Sequence, residues 1–239
     1  MSFQQVRILF MIAMFNTGCG ALRDIPKFEF SNGYYKLKLP DSRPTKVYVE
    51  NENDSIVIYL LKKTNSGYTI NASSKRKLTL NEIREDSLFR ESHFSHTSLD
   101  FDFLTLPVKY RPSRENFPPQ LSSSLNGSVF LGYRRDLYRI EYEKLIGGKY
   151  KRDISHFGYA IGAFSGLGIT AMNPWVTTNS IPIEYDGMVW LKGISFILGI
   201  ENYSVGVALG WDHLLDKNRN SWIYEGKPWA GITIGLNLN

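Results

Sequence analysis

The stretch ENYSVGVALGW, Glu201 to Trp211, decides how the chain reads. Tyr203, Val205, Val207, Leu209 and Trp211 fall on one face of an extended ribbon. Ser204, Gly206, Ala208 and Gly210 fall on the other, because successive side chains of a strand point to opposite sides. The same period-two alternation runs through FGYAIGAFSGLGITA (Phe157 to Ala171), VWLKGISFILGI (Val189 to Ile200) and WAGITIGLNLN (Trp229 to Asn239). A soluble antiparallel sheet shows water a face seeded with Lys and Glu. These ribbons have almost no charge: from Asn202 on, the opening one has none, two others have none, and Val189 to Ile200 has only Lys192. In a bilayer the large apolar face meets lipid, the small face lines a narrow interior, and ring closure pairs every backbone amide that lipid leaves unsatisfied.

Length and interfacial residues agree with that solvent. The eight steps from Tyr203 to Trp211 span about 26 Å along the strand and about 20 Å along the membrane normal at a tilt near 40°, comparable to the apolar band of outer-membrane barrels. Trp175, Trp190, Trp211 and Trp229 sit beside the long connections Asn173 to Gly187 and Asp212 to Lys227, where interfacial aromatics gather at one rim. Tyr203 marks the opposite rim, beside the short turn through Glu201 and Asn202. Trp229 has the parity of the small face, which places it over the mouth rather than against lipid.

Working outward, SLDFDFLTLPVKY changes parity between Phe103 and Leu104, as a β-bulge requires, and Pro107 suits an irregular strand. GSVFLGYRRDLYRIEYE is either one bent strand or a hairpin turning at Arg134 to Asp136. Sixteen of the twenty glycines lie at or after Gly127, and the earlier chain is richer in Lys, Asn, Ser and Asp. There YYKLKL (Tyr34 to Leu39), KVYVE (Lys46 to Glu50) and SIVIYLL (Ser55 to Leu61) form strand candidates, the last two joined by the turn-forming NEND. The expected organisation is a signal peptide over 1–18, a small β module over 19–73, a linker over 74–97 with a short helix near Asn81, and an antiparallel membrane β-barrel of about eight strands over 98–239. The fold class is all-β.

The start of the chain has a short n-region with Arg7, an apolar run from Ile8 to Phe15, and small residues around Gly18 and Cys19, the layout of a secretory signal. NTGC, Asn16 to Cys19, resembles the lipobox of bacterial lipoproteins, which implies lipidation at Cys19, here with Asn16 where that pattern has Leu. Ser98 to Asn239 resembles uncharacterised outer-membrane β-barrel proteins of Gram-negative, Bacteroidota-type bacteria. The resemblance rests on strand style and implies a bacterial outer-membrane location, lipid as a partner and the barrel-insertion machinery as a handler. It carries no activity. Barrels of this kind commonly end in an aromatic residue, whereas here Leu238 supplies an apolar penultimate one.

Composition narrows the chemistry. A net charge of +5 with scattered Lys and Arg gives no nucleic-acid footprint. One cysteine and four scattered histidines provide neither an internal disulfide nor a metal-ligand cluster, and no cofactor is expected. ESHFSH spaces His93 and His96 for one side of a helix but lacks a third ligand, and GAFSGLG (Gly162 to Gly168) is strand packing rather than a phosphate turn. WDHLLD sets His213 beside Asp212 and a helical turn before Asp216, a weak acid-base candidate without a nucleophile. Three classes follow: a barrel acting as structural protein, narrow channel or surface platform; a barrel hydrolase using His213; or a lipid-tethered soluble barrel holding an apolar ligand. The small-residue interior is expected to lack the charged ring of a selective pore.

Overall fold

The structure, a computed structural model, describes residues 30–236 apart from 41, 53–54, 65–66, 80–90, 115–116, 147–149 and 201–202. The signal sequence, Cys19 and the helix expected near Asn81 lie outside the described residues. The strands are β1 (Gly33–Lys38), β2 (Thr45–Glu52), β3 (Ser55–Thr64), β4 (Gly67–Ile70), β5 (Arg76–Thr79), β6 (Glu91–Arg111), β7 (Gln120–Ser122), β8 (Asn126–Lys144), β9 (Tyr150–Met172), β10 (Tyr185–Ile200), β11 (Tyr203–Leu214) and β12 (Pro228–Leu236). All pairings between them are antiparallel.

Among the described residues, six strands close a ring: β6 pairs with β8, then β9, β10, β11 and β12 follow, and β12 returns to β6. About eight strands were expected. The difference arises largely at GSVFLGYRRDLYRIEYE, which runs as the single strand β8. Its Arg134 and Asp136 look like a surface turn in sequence, but both are buried and paired to each other, so the chain continues straight through them.

Following hydrogen-bonded partners from His96 through Asp136, Gly158, Gly199, Ser204 and Gly235 returns to β6 at Leu104, eight residues further on. That stagger, with about 3.3 Å per residue and about 4.7 Å between strands, tilts the strands by about 43° and gives a radius of about 6 to 7 Å. So narrow a lumen cannot hold a large side chain from every strand. Leu104, Leu106, Phe130, Phe164, Leu191 and Trp229 fill it, and glycines face them. Gly132 and Gly162 stand opposite each other on β8 and β9, and a Cβ on Gly162 would meet the Leu131 carbonyl oxygen and the Gly132 Cα. The alternation of large and tiny residues therefore has two causes, one for each face.

The expected bulge lies a few residues beyond the sequence position that suggested it. Thr105 pairs with Ile234 and Val108 with Ile232, so β6 carries an extra residue at Leu106–Pro107, where proline's missing N–H costs no ladder bond. Before the bulge Leu99, Phe101 and Phe103 point outward and Leu104 and Leu106 inward; after it Tyr110 points outward and Lys109 and Arg111 inward.

The N-terminal strands are not separated from the ring by a linker over 74–97. β5 pairs with β3, and β6 begins at Glu91 rather than 98, with Ser95 bonded to β1 on one side and β8 on the other. β1, β2 and β3 continue the sheet from the first half of β6 and curl over the lower part of β8. One core results, in which Tyr35, Leu37, Val47, Val49 and Ile56 pack on Phe94, Tyr138 and Ile140. The first half of β6 is thus shared by module and ring.

Candidate functional site

The outer face of the ring is apolar all the way round. Successive registers place Leu99, Tyr133, Ile161, Phe196, Val207 and Ile232 side by side, and Phe101, Leu131, Ile194 and Leu209 form the next row. All are exposed. Trp190 and Trp211 bound this belt toward the long loops, both outward-facing, and Trp175 stands 70% exposed in the first of those loops. Lys192, the one cation in the belt of β10, carries its ammonium back over the Trp190 ring at 4.5 Å, toward the rim, as a snorkelling lysine does. Trp229 departs from the expected girdle: it is 2% exposed and lies inside the ring. The Tyr203 side chain lies outside what is described. Among the described residues no helix is long and apolar enough to cross a membrane, a statement about helices alone.

The inner face is charged at both ends, contrary to the small, uncharged lumen expected. Toward the loops, fully buried Asp212 accepts from Lys109 Nζ at 3.0 and 3.1 Å, from Arg111 Nη2 at 2.6 Å and from Trp229 Nε1 at 2.8 Å. Lys109 also lies 4.7 Å from the Trp229 ring, and Arg111 is held near Trp222 and Tyr224, each at 5.5 Å. Toward the short turns, Asp136 Oδ1 is 2.8 Å from both Arg134 Nε and His156 Nε2, with Asp100 and Asp102 buried on neighbouring β6. Gly158 leaves the room for this group, since a Cβ there would sit 2.8 Å from both Arg134 and Asp136. These residues were missed in sequence because their partners are distant: Lys109 and Asp212 are 103 residues apart. The available signal was the parity of Asp100, Asp102, Arg134 and Asp136, which is that of the inner face.

The weak acid-base candidates are not brought together. Asp212 points into the ring, His213 outward, and Asp216 accepts from the Tyr185 hydroxyl at 2.8 Å. Strand alternation separates the first two, so no orienting carboxylate reaches His213 from Asp212. Its partner is Glu225, whose Oε1 lies 2.8 Å from His213 Nδ1. His93 and His96 lie in strand β6, where an odd spacing sends them to opposite faces. Among the described residues no group of three or more His, Cys, Asp or Glu is placed to hold a metal ion.

Glu225 latches the loop end. Its carboxylate accepts from Leu214 N–H at 2.8 Å and from Arg219 Nε at 2.6 Å besides meeting His213. Below it Val176, Trp222, Ile223 and Tyr224 pack against Met172, Val189 and Leu214, and Ile223 N–H bonds the Val176 carbonyl, tying the two long loops together. Burial alone would raise the Glu225 pKa. The bonds from Leu214, His213 and Arg219 outweigh it and hold the carboxyl below its ordinary 4.5. A depressed acid contributes stability above its unfolded pKa and loses it as pH falls through the lower folded value. The loop signal of Trp222 and Tyr224 in near-ultraviolet dichroism is therefore expected to melt at lower temperature as pH drops below about 4.5. Glu225→Gln should remove this acid limb; an unchanged pH dependence would refute the latch.

Comparison with family models, with curated proteins and with solved structures returned no match.

Proposed function

We propose that the ring is a membrane-spanning β-barrel of the bacterial outer membrane, with the belt in hydrocarbon, the curled module on the periplasmic side and the latched loops outside. Its function in this reading is that of a plugged surface platform or structural element. The observation that carries it is the exposed apolar belt round the six strands, set against the buried charges Asp100, Asp102, Lys109, Arg111, Arg134, Asp136 and Asp212 among the apolar residues of the lumen. In water an exposed apolar patch beyond a few hundred Å² is a liability, whereas in lipid it is the required surface. Single-chain barrels of this kind ordinarily have eight strands or more. A stagger of eight residues gives six strands an equivalent tilt, and glycine accommodates the tight radius. The packed lumen argues against an open channel and leaves little space for an apolar ligand, which disfavours the tethered soluble barrel. Passage through the barrel-insertion machinery and a lipid on Cys19 belong to the same proposal.

Fractionation of cells making the wild type and Cys19→Ala tests it. Both should stay with the outer membrane through high-salt washing, leave it only in detergent, and migrate faster on a gel unheated than boiled. Release of Cys19→Ala without detergent would mean a tethered soluble domain.

A further inference from the structure

A groove of about 530 Å³ opens on the outer face at the turn end, where β1, β6, β8 and β9 lie side by side. We infer that it holds the phosphate headgroup of an anionic membrane phospholipid, an inference that rests on the belt being lipid-facing. Lys36, Lys38, Arg135 and Arg139 line it with no acidic side chain among the lining residues, and Pro44, from the β1–β2 connection, forms one wall. Arg139 is already engaged by Glu91 and Glu141. Lys36, Lys38 and Arg135 make no ion pair among the described residues, so three cations line the groove without a direct salt-bridge partner.

Position selects a lipid over other anions. Leu137 and Phe157, paired in register and both outward-facing, form an apolar floor to the groove. The next outward pair is Arg135 with Tyr159, and the one after is Tyr133 with Ile161, already in the belt. A phosphate among Lys36, Lys38 and Arg135 would therefore have its acyl chains lying up the belt across Phe157 and Ile161. That is the depth order of a phospholipid, headgroup at the rim and chains along hydrocarbon. Basic side chains at such a rim attract anionic lipid, each adding to affinity and each screened by salt.

Dihexanoyl phosphatidylglycerol titrated into the full chain in zwitterionic detergent tests this, with dihexanoyl phosphatidylcholine and inorganic phosphate as parallel probes. Saturable, salt-sensitive binding of the phosphatidylglycerol is expected, with much weaker binding of the other two. The triple variant Lys36→Ala, Lys38→Ala, Arg135→Ala should lose about tenfold or more in affinity. Removing two exposed cations elsewhere, Lys62→Ala with Lys63→Ala on β3, should change nothing. Equal binding by the triple variant, or equally tight binding of inorganic phosphate or phosphatidylcholine, would overturn the lipid site. The two proposals fail separately: a chain that fractionates without detergent yet binds the probe through these cations keeps the groove and loses the span. A detergent-requiring chain with a silent groove does the reverse.

Discussion

Replacing Val207 by arginine is expected to destabilise the folded ring by about 2 to 4 kcal/mol if the belt lies in lipid as proposed, the depth-dependent cost of a cation on a lipid face near the bilayer midplane. Val207 is the place to ask, because it lies midway between Tyr203 and Trp211 on β11 and is 61% exposed, touching little protein that the change could disturb. In water such a surface substitution stays within about 0.5 kcal/mol. The two solvents thus predict different sizes for one mutation. Urea unfolding in detergent or bilayers reads the difference, with Val207→Leu as a neutral reference and Val207→Ser as an intermediate. A cost for arginine no larger than that for leucine would mean that the belt faces water.

Asp212→Ala tests the inside. Removing the carboxylate strips Lys109 and Arg111 of their acid and the Trp229 indole of its acceptor, and raises the buried charge of the cluster from +1 to +2. Breaking a buried pair by removing one partner costs about 3 to 5 kcal/mol, because what remains is an uncompensated charge rather than an apolar contact. Thermal unfolding, followed by loss of the fast-migrating unheated band, should register it. Adding Lys109→Met to Asp212→Ala returns the cluster to a single positive charge, so the double variant should regain part of the loss, a coupling that simple cavity formation would not produce. A single-variant cost below about 1 kcal/mol would show that water reaches these groups and that the lumen is not sealed.

Much of the fold was legible in the chain because a strand's face assignment is local. The ribbons at Phe157 to Ala171, Val189 to Ile200, Tyr203 to Trp211 and Trp229 onward lie within the strands β9 to β12, and Ile161, Ile194, Phe196, Val205, Val207, Leu209 and Ile232 do point outward, whereas Phe164, Leu191 and Trp229 turn into the lumen. β1, β2 and β3 fall on the three early strand candidates. Trp229 had inner-face parity, and it is inside, although deeper than a position over the mouth implied. What failed required knowledge of partners. Arg134 and Asp136 looked like a turn because charges in mid-strand are costly unless paired; they pair with each other, and His156 of β9 adds a second contact to Asp136. The stretch Glu91 to Thr97 looked like a linker because its outward residues are polar; its buried Ser92 and Phe94 face a core supplied by β1, β2 and β8. The WDHLLD histidine was only a weak acid-base candidate, and sequence adjacency hid the strand alternation that sends Asp212 and His213 to opposite sides.

The sequence by itself determined strand periodicity and the chemistry of each face, since pleating and solvent act residue by residue along one chain. Only the tertiary structure decided that six strands close the ring, that β6 serves ring and module at once, and that Lys109, Arg111 and Asp212 meet. Charge pairing joins Lys109 to Asp212 across 103 positions, and closure pairs Phe103 with Leu236 across 133. No local pattern encodes which distant strand arrives beside another, because that choice is made by the summed fit of side chains within a lumen whose radius is itself set by the closure.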